Sequence, residues 1–240
     1  MQTYLVAVDD TDFGESIGTG ALIRELGASF ERAGVGSIEG ITRHQLLVHP
    51  DIPYTSHNSS ACLALDTERT LDDVVEHAAK FVVDHLHAGA DPAICVLEER
   101  AGGSLSAFGK RCQAQVVTKA DAHAAIAAAG AHARELGGTG GGVIGAAAAI
   151  GLRATGNDGR FISARGTRSH WGRLTVADIV GKMMIHHVVD LQQRVLPPDM
   201  VVHVTIDGVR PDLIDGHAVL AVRPRADGDY EPLPTKKDAG

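Results

Sequence analysis

The spacing of apolar and polar residues predicts alternating strands and helices over the first hundred positions. Apolar residues run together in Thr3–Val8, as is typical of a strand, and recur at helical spacing through Gly18–Gly34. The predicted elements are, in order, strand Thr3–Val8, helix Gly18–Gly34, strands Ile38–Val48 and Ser60–Asp66, helix Thr70–Ala88 and strand Ala93–Leu97. This β-α-β-β-α-β order predicts an α+β fold with a ferredoxin-like antiparallel sheet.

The remainder of the chain is richer in alanine and glycine and has shorter apolar runs. Good helix formers fill Lys119–Leu136, and a second helix, Ala146–Gly151, follows a glycine-rich loop. The later predicted elements are strand Phe161–Ala164, helix Thr175–Met184, strands Ile185–Val189, Val201–Ile206 and Ala218–Val222, and a loose tail from about Arg225. We therefore predict a core region, residues 1–168, elaborated by a Gly-rich helical segment, and a strand-containing C-terminal extension, residues 169–240, that packs on it.

Composition favours a globular protein and argues against several other classes. With 240 residues of which 44% are hydrophobic, the chain can bury a sizeable core, and its longest apolar runs are too short to cross a membrane. The three cysteines form no CxxC pair, which argues against a structural zinc site or a disulfide framework. A net charge of −8 gives no overall nucleic-acid footprint, although local basic patches remain open. We expect a cytoplasmic protein; self-association stays open.

The first predicted strand ends in a cluster of carboxylates, Asp9, Asp10 and Asp12. Two unit charges about 4 Å apart repel by roughly 4 kcal/mol at an effective dielectric near 20, so such a cluster needs solvent, protons or a cation. Oxygen ligands of this type suit Mg²⁺. The alternative is a solvated turn in which Asp12 caps the following helix. The sequence thus predicts a magnesium site that Asp9, Asp10 and Asp12 would form.

A glycine-rich loop is the second candidate for chemistry. Glycine occupies five of the six positions from Gly137 to Gly142, directly before a predicted helix, where backbone N–H groups and the helix dipole favour an anion such as phosphate. The loop fits G-x-G-x-x-G through Gly140, Gly142 and Gly145, yet it is predicted to follow a helix rather than a strand, and it lacks the lysine of a P-loop. A flexible connection between two helices is the alternative.

Three segments together resemble the kinase and ferredoxin-like regions of the archaeal isoleucine-tRNA agmatinylcytidine synthetase family. They are Ala7–Asp12, Pro50–Tyr54 and Gly142–Gly151, and the resemblance covers roughly residues 1–168. That family uses ATP and Mg²⁺ to phosphorylate a carbonyl oxygen of a tRNA cytosine and then displaces the phosphate with agmatine. The resemblance implies metal and nucleotide carboxylates at Asp9, Asp10 and Asp12, an autophosphorylated threonine at Thr19 and a phosphate-binding arginine at Arg165. Together with the glycine-rich loop, the predicted cofactor-binding residues are Thr11, Thr139, Gly140, Gly142, Gly145 and Arg165.

The chain also departs from the family. In the loop Thr55–Ala61 it lacks the two cations and both glycines of the family pattern, and the residues after Ser169 contain no cysteine for a zinc ribbon. An OB-fold is likewise not expected, so the sequence predicts that direct tRNA binding would need a partner. His57 in that loop is a candidate general base or substrate contact, or simply part of a turn. Trp171 is expected to be a packing anchor for the C-terminal extension.

These observations favour an ATP- and Mg²⁺-dependent, phosphotransferase-like enzyme that activates an oxygen of a small polar substrate. In this interpretation the catalytic residues are Asp9, Asp10, Thr19 and His57. Two alternatives stay open: a tRNA-modifying synthetase homologue that acts with a separate RNA-binding partner, and a nucleotide-binding protein without catalysis. A hydrolase that uses the same aspartates with a metal-bound water is a further alternative.

Overall fold

The computed structural model describes residues 1–11, 18–52 and 58–234, and the chain divides into two compact units, Met1–Thr155 and Gly156–Gly240. This division falls before the boundary after residue 168 that the sequence suggests. The first unit contains β1 (Gln2–Asp9), α1 (Thr19–Arg32), β2 (Gly36–Gln45), β3 (Ser59–Thr67), α2 (Leu71–Asp84), β4 (Ala93–Glu98), a 3-10 helix (Glu99–Leu105), α3 (Ser106–Ala114), α4 (Lys119–Ala129), β5 (His132–Glu135) and α5 (Val143–Ala154).

The first unit is an α+β structure whose strands form one antiparallel sheet, in the order β5-β4-β1-β3-β2. Alternate residues of β1, such as Leu5 and Ala7, join the core beneath α5, whereas Val6 between them is buried on the opposite face. Helices α1 and α2 contact the same sheet. Because β1, β3 and β4 are buried on both faces, they read as continuous apolar runs rather than as alternating patterns.

Helix α5 is almost entirely buried, and its composition explains how it fits. Its small residues, Ala146 to Ala149, are fully buried and allow the helix axis to approach its neighbours closely. A Cβ added to Gly151 would lie 2.1 Å from the backbone oxygen of Leu105, and one added to Gly109 would lie 2.9 Å from the backbone oxygen of Ala148. The alanines and glycines of α5 therefore serve close packing, and they fix where the N-terminus of the helix lies.

Some predicted elements need correction. The helix predicted for Lys119–Leu136 ends at Ala129, because Gly130 adopts a left-handed conformation with φ of 66° and the chain then turns into β5. Strand β5 pairs antiparallel with β4, from Ala93 opposite Glu135 to Val96 opposite His132. The 3-10 helix and α3, which follow β4 directly, have no counterpart among the predicted elements.

The second unit is largely made of short strands. Its elements are β6 (Arg160–Ala164), β7 (Gly172–Thr175), α6 (Val176–Lys182), β8 (His187–Val189), β9 (Val201–Val204), β10 (Asp212–Ile214), β11 (His217–Pro224) and β12 (Tyr230–Pro232). The strands follow the order β6-β10-β11-β12-β9-β7, and β8 pairs with β11. The expectation of a loose tail from about Arg225 is wrong, because β12 pairs with both β11 and β9 and the N–H of Leu233 donates to Ala221.

Helices of membrane-crossing length and hydrophobicity are absent from the part of the chain that the structure describes.

Candidate functional site

Several chain segments enter or leave the first unit's sheet at one edge. Asp9, the last residue of β1, pairs with Ala93 at the start of β4, and Ala93 also pairs with Glu135 at the end of β5. On the other side of β1, Val8 pairs with Ala61 near the start of β3. Three segments therefore meet at this sheet edge: Asp10 and Thr11 after β1, here called the acidic turn, the segment before β4, and the glycine-rich loop after β5. Thus two features far apart in sequence become neighbours.

The carboxylate of Asp9 lies against the first turn of α5. A Cβ added to Gly145 would be only 1.7 Å from Oδ2 of Asp9, so no side chain other than hydrogen fits at that position while Asp9 stays in place. The N-terminus of a helix carries partial positive charge, which favours a carboxylate there. The structure thus brings Asp9 and Gly145, two of the predicted site residues, into direct contact.

Gly142 makes the closest backbone approach of the loop. A Cβ added there would lie 2.7 Å from the backbone oxygen of Asp91, 2.9 Å from the nitrogen of Ala93 and 2.9 Å from the backbone oxygen of Asp9. These are main-chain atoms of paired strands, which cannot move aside as a flexible side chain can. Gly142 is therefore required for packing of the start of α5 on the sheet edge.

Asp91, which the sequence analysis did not identify, holds the glycine-rich loop. Its carboxylate accepts hydrogen bonds from the N–H groups of Gly140 and Gly141, the latter at 3.0 Å, and from the hydroxyl of Thr139. Its own N–H donates to the backbone oxygen of Asp10 at 3.1 Å. One residue thus links the acidic turn to the loop. An aspartate directly before Pro92 and a buried strand is the signal that could have indicated such a role.

The N–H groups that the sequence analysis assigned to phosphate are therefore engaged by a carboxylate of the chain itself. Burial raises the pKa of Asp91, but hydrogen bonds from Thr139, Gly141 and Gly140 outweigh that effect and lower the pKa below its ordinary value. Asp91 is thus a carboxylate at neutral pH and occupies the place of an anion. Gly140 and Thr139 lie beside Asp91, and their described contacts are internal.

Lys119, Glu135 and His123 form a second polar cluster beside the glycine-rich loop. The ammonium of Lys119 donates to Glu135 Oε2 at 2.8 Å and to the backbone oxygen of Thr139, and His123 Nε2 lies 2.8 Å from Glu135 Oε1. A Cβ added to Gly140 would overlap the Glu135 carboxylate, at 1.8 Å. The hydrogen bond from Lys119 is the largest cause that lowers the pKa of Glu135. Lys119 and Glu135, which were not predicted as site residues, thus fix the loop conformation.

The predicted threonines also meet. The hydroxyl of Thr11 donates to that of Thr19 at 2.9 Å, and Thr11 is buried. Thr19 is the first residue of α1, whose N-cap, Gly18, provides no side-chain cap. Asp10, immediately before Thr11, has φ of 55°, a left-handed conformation that aspartate tolerates better than most residues. Asp10, Thr11 and Thr19 thus lie together where β1 leads to α1.

The remaining predicted residues are not brought into this group. Asp12 and His57 lie outside the described residues. Arg165 belongs to the second unit, where it is exposed directly after β6 and its backbone oxygen accepts a hydrogen bond of 2.7 Å from the N–H of Met184. At the base of the loop that contains His57, Asn58 Nδ2 donates to the backbone oxygen of Leu47 at 2.6 Å.

The histidine, cysteine, aspartate and glutamate side chains of the described residues are the candidate metal ligands. Among them, the one set of three such side chains whose ligand atoms lie within 4.8 Å of one another is His203, Asp227 and Asp229 in the second unit. There Arg173 and Arg225 already pair with the two carboxylates. At the sheet edge, the carboxylates of Asp9 and Asp10 supply hard oxygen donors of the kind Mg²⁺ binds, and one or two carboxylates are its usual protein ligands. The donor chemistry therefore fits the predicted ion.

No protein-family model matches the chain. No curated protein matches it either. Among solved structures, the chain is similar to the TiaS–tRNA–ATP complex, with a TM-score of 0.57, 22% identity, 63% of this chain covered and 36% of that chain. It is also similar to apo TiaS, a tRNA agmatidine synthetase, with a TM-score of 0.55 and 21% identity, covering 62% of this chain and 35% of that chain. A tRNA fluorescent labeling enzyme is similar with a TM-score of 0.56 and 24% identity, covering 62% of this chain and 36% of that chain. The chain spans little more than a third of these proteins' length.

The resemblance that the sequence indicates is thus confirmed at the level of fold. The expectation that direct tRNA binding needs a separate partner is wrong. The similar protein TiaS forms a complex with tRNA and ATP, so the resemblance does not support that expectation. The expectation relied on overall charge and on missing modules. Affinity for a polyanion depends instead on the local arrangement of cations, which net charge does not report.

Proposed function

We propose that the chain is part of, or acts as, an ATP-dependent RNA-modifying synthetase whose nucleotide site is the sheet edge of the first unit. The observation that carries the proposal is that Asp9 contacts the first turn of α5 and that Asp10 is joined through Asp91 to the glycine-rich loop, on a fold shared with an enzyme that binds ATP and tRNA. The small polar acceptor that the sequence favoured gains no support from the comparisons. An RNA base takes its place in this proposal.

Within this proposal the first unit is a ferredoxin-like core elaborated by the Gly-rich segment. Asp9, Asp10 and Asp12 would hold Mg²⁺, which neutralises phosphate charge when it is bound. Thr11 and Thr19 would contact phosphate through their hydroxyls, and Thr19 is the candidate transient acceptor. Thr139, Gly140, Gly142 and Gly145 form the wall of the site, and His57 is a candidate general base or substrate contact. Arg165, in the second unit, is a further phosphate-binding residue that the resemblance indicates.

The chemistry is a phosphoryl transfer followed by a displacement. In the first step the γ-phosphoryl group passes to a carbonyl oxygen of the base, the bond to the bridging oxygen of ATP breaks, and ADP leaves. In the second step an amine attacks the activated carbon and inorganic phosphate leaves. The protein contributes by positioning and by offsetting charge, which dominate catalysis of phosphoryl transfer. The placement of Asp10 and Thr19 where β1 leads to α1 suits both tasks.

The test compares Asp10→Asn with the wild type. We expect Asp10→Asn to lower tRNA-stimulated release of product from γ-labelled ATP by at least about 100-fold, because one charge of the metal-binding set is lost. Asp72→Asn is the matched control: it makes the same change of charge at an exposed position of α2 in the same unit. Circular dichroism shows whether each variant folds. Unchanged turnover in folded Asp10→Asn would refute the assignment, and turnover that tRNA does not stimulate would refute an RNA acceptor.

A further inference from the structure

The second unit contains the most basic stretch of the chain. No Asp or Glu occurs between Asp158 and Asp178, and this stretch contains the sole tryptophan together with Arg160, Arg165, Arg168 and Arg173. Residues 165–173, here called the basic loop, comprise the connection from β6 to β7 and the first two residues of β7. In a chain with a net charge of −8, this local excess of positive charge stands apart from the rest.

The basic loop has a fixed backbone. Thr167 is buried, its N–H donates to the backbone oxygen of Ala164 at 3.1 Å, and its hydroxyl also donates to that oxygen, at 2.9 Å. The N–H of Val209 donates to the backbone oxygen of Thr167 at 2.9 Å. A Cβ on Gly208 would lie 2.1 Å from that same oxygen, so the two segments are in close contact. The loop is therefore held by its main chain, independently of its large side chains.

Those large side chains point into solvent. Trp171 is 54% exposed, so the expectation that it anchors the packing of this region is wrong. Arg165 and Arg168 are exposed, and within the described part of the second unit neither makes an ion pair, whereas Arg173 pairs with Asp229. The exposed indole and the guanidinium groups of Arg165 and Arg168 therefore do not account for the stability of the loop.

We propose that the basic loop binds single-stranded RNA, with Trp171 stacking on a base and Arg168 contacting phosphate. An indole offers a flat face that any base can stack on, and arginine fits phosphate oxygens in a bidentate manner. Together these groups match a flexible polyanion with exposed bases better than an acidic peptide, which would use the charges but not the ring. The proposal rests on the proposed function, since it identifies where the second unit would contact that RNA.

The single tryptophan makes a direct test available. Because Trp171 is the only source of indole fluorescence, stacking of a base on it should quench the emission of the intact protein. We expect unfractionated tRNA and oligo-uridylate to quench it, and poly-glutamate and double-stranded RNA to leave it unchanged. Quenching should weaken as salt rises, because phosphate contacts release counterions. Quenching by poly-glutamate or by double-stranded RNA, or the absence of quenching by tRNA and oligo-uridylate, would overturn the proposal.

Variants then assign the contacts by anisotropy of labelled tRNA. Arg168→Ala and Trp171→Ala should each raise the Kd about tenfold, Trp171→Phe should restore part of the loss, and Arg168→Ala should lower the salt slope by about one. Arg194→Ala, which removes an exposed arginine paired with Asp190, is the control and should leave the Kd unchanged. If Arg168→Ala and Trp171→Ala bind tRNA with the Kd of the wild type, the proposal is overturned.

The outcome is separable from that of the proposed function. ATP cleavage measured without RNA should be the same in Trp171→Ala and in the wild type. If tRNA stimulates ATP cleavage equally in both, the proposed function stands and the basic loop is not the RNA contact. If the basic loop binds tRNA but tRNA leaves ATP cleavage unchanged, the RNA contact stands and the synthetase assignment fails.

Discussion

The glycine-rich loop of the first unit and the basic loop of the second are both fixed in conformation. They differ in their polar groups, which are bonded internally in the first loop and exposed to solvent in the second. In the glycine-rich loop, the N–H groups of Gly140 and Gly141 are used by Asp91, and Lys119 is paired with Glu135. In the basic loop the main chain and the buried hydroxyl of Thr167 provide the restraint, and the indole of Trp171 is left in solvent.

This difference separates two reasons for an unusual local composition. Glycines of the first loop are explained by close contacts with Asp9, Asp91 and Glu135, so their presence does not by itself require a bound phosphate. The exposed side chains of Arg165, Arg168 and Trp171 have no comparable explanation among the contacts of the residues that the structure describes. Substitutions in the first loop should therefore reduce stability, and substitutions in the second should reduce binding.

The largest effect is expected for Gly142→Ala. The added Cβ would meet three main-chain atoms at 2.7 to 2.9 Å, so α5 must move away from the sheet edge, at a cost of about 3 kcal/mol in the free energy of unfolding. Denaturant unfolding measures this loss. Gly103→Ala is the control, because its Cβ would have no neighbour within 4 Å. Equal stability of the two variants would mean that the start of α5 is not packed as described.

Removal of the Asp91 carboxylate should have the next largest effect. Asp91→Asn should lower the free energy of unfolding by about 2 kcal/mol at pH 7, because an amide cannot accept all the hydrogen bonds from the loop and brings donors of its own. The pKa of Asp91 is lowered in the folded state, so its stabilisation is present above the unfolded value of 3.8 and is lost as the pH falls through the folded pKa.

The wild type and Asp91→Asn should therefore converge in stability as the pH is lowered below 3.8. Urea titrations at a series of pH values measure the difference. A difference that stays constant down to the lowest pH would show that the carboxylate charge does not hold the loop.

How far the sequence predicts these regions depends on the range of the contacts involved. Helices α1 and α2 follow from apolar spacing, which is a local property. Strand β5, with the sequence His-Ala-Arg-Glu, has almost no apolar signal and exists because its backbone pairs with β4. The role of Asp91 is equally hidden, since its partners lie about fifty residues later in the chain. The contact of Asp9 with Gly145 could be anticipated only through the family resemblance.

A smaller effect is expected for Lys119→Met. The ion pair of Lys119 with Glu135 is about one-third exposed on both sides, so its loss should lower the free energy of unfolding by about 1 kcal/mol or less, and less still in high salt. Denaturant unfolding at low and high salt checks this. Lys80→Met, at a more exposed pair with Asp84, is the control and should change stability less. A larger loss at Lys80 would remove the claim that Lys119 supports the loop.

The smallest effect on stability is expected for Trp171→Ala, and this is the sharpest test of the comparison. Because the loop is fixed through Thr167 and its main chain, loss of a ring that is 54% exposed should change the free energy of unfolding by only about 0.5 kcal/mol. Thr167→Val, which removes the buried hydroxyl bonded to Ala164, should cost about 1 kcal/mol or more and serves as the contrast. Far-UV circular dichroism monitors unfolding of both variants. If Trp171→Ala proves the more damaging of the two, the ring contributes to the fold, and the two loops do not differ in the way described.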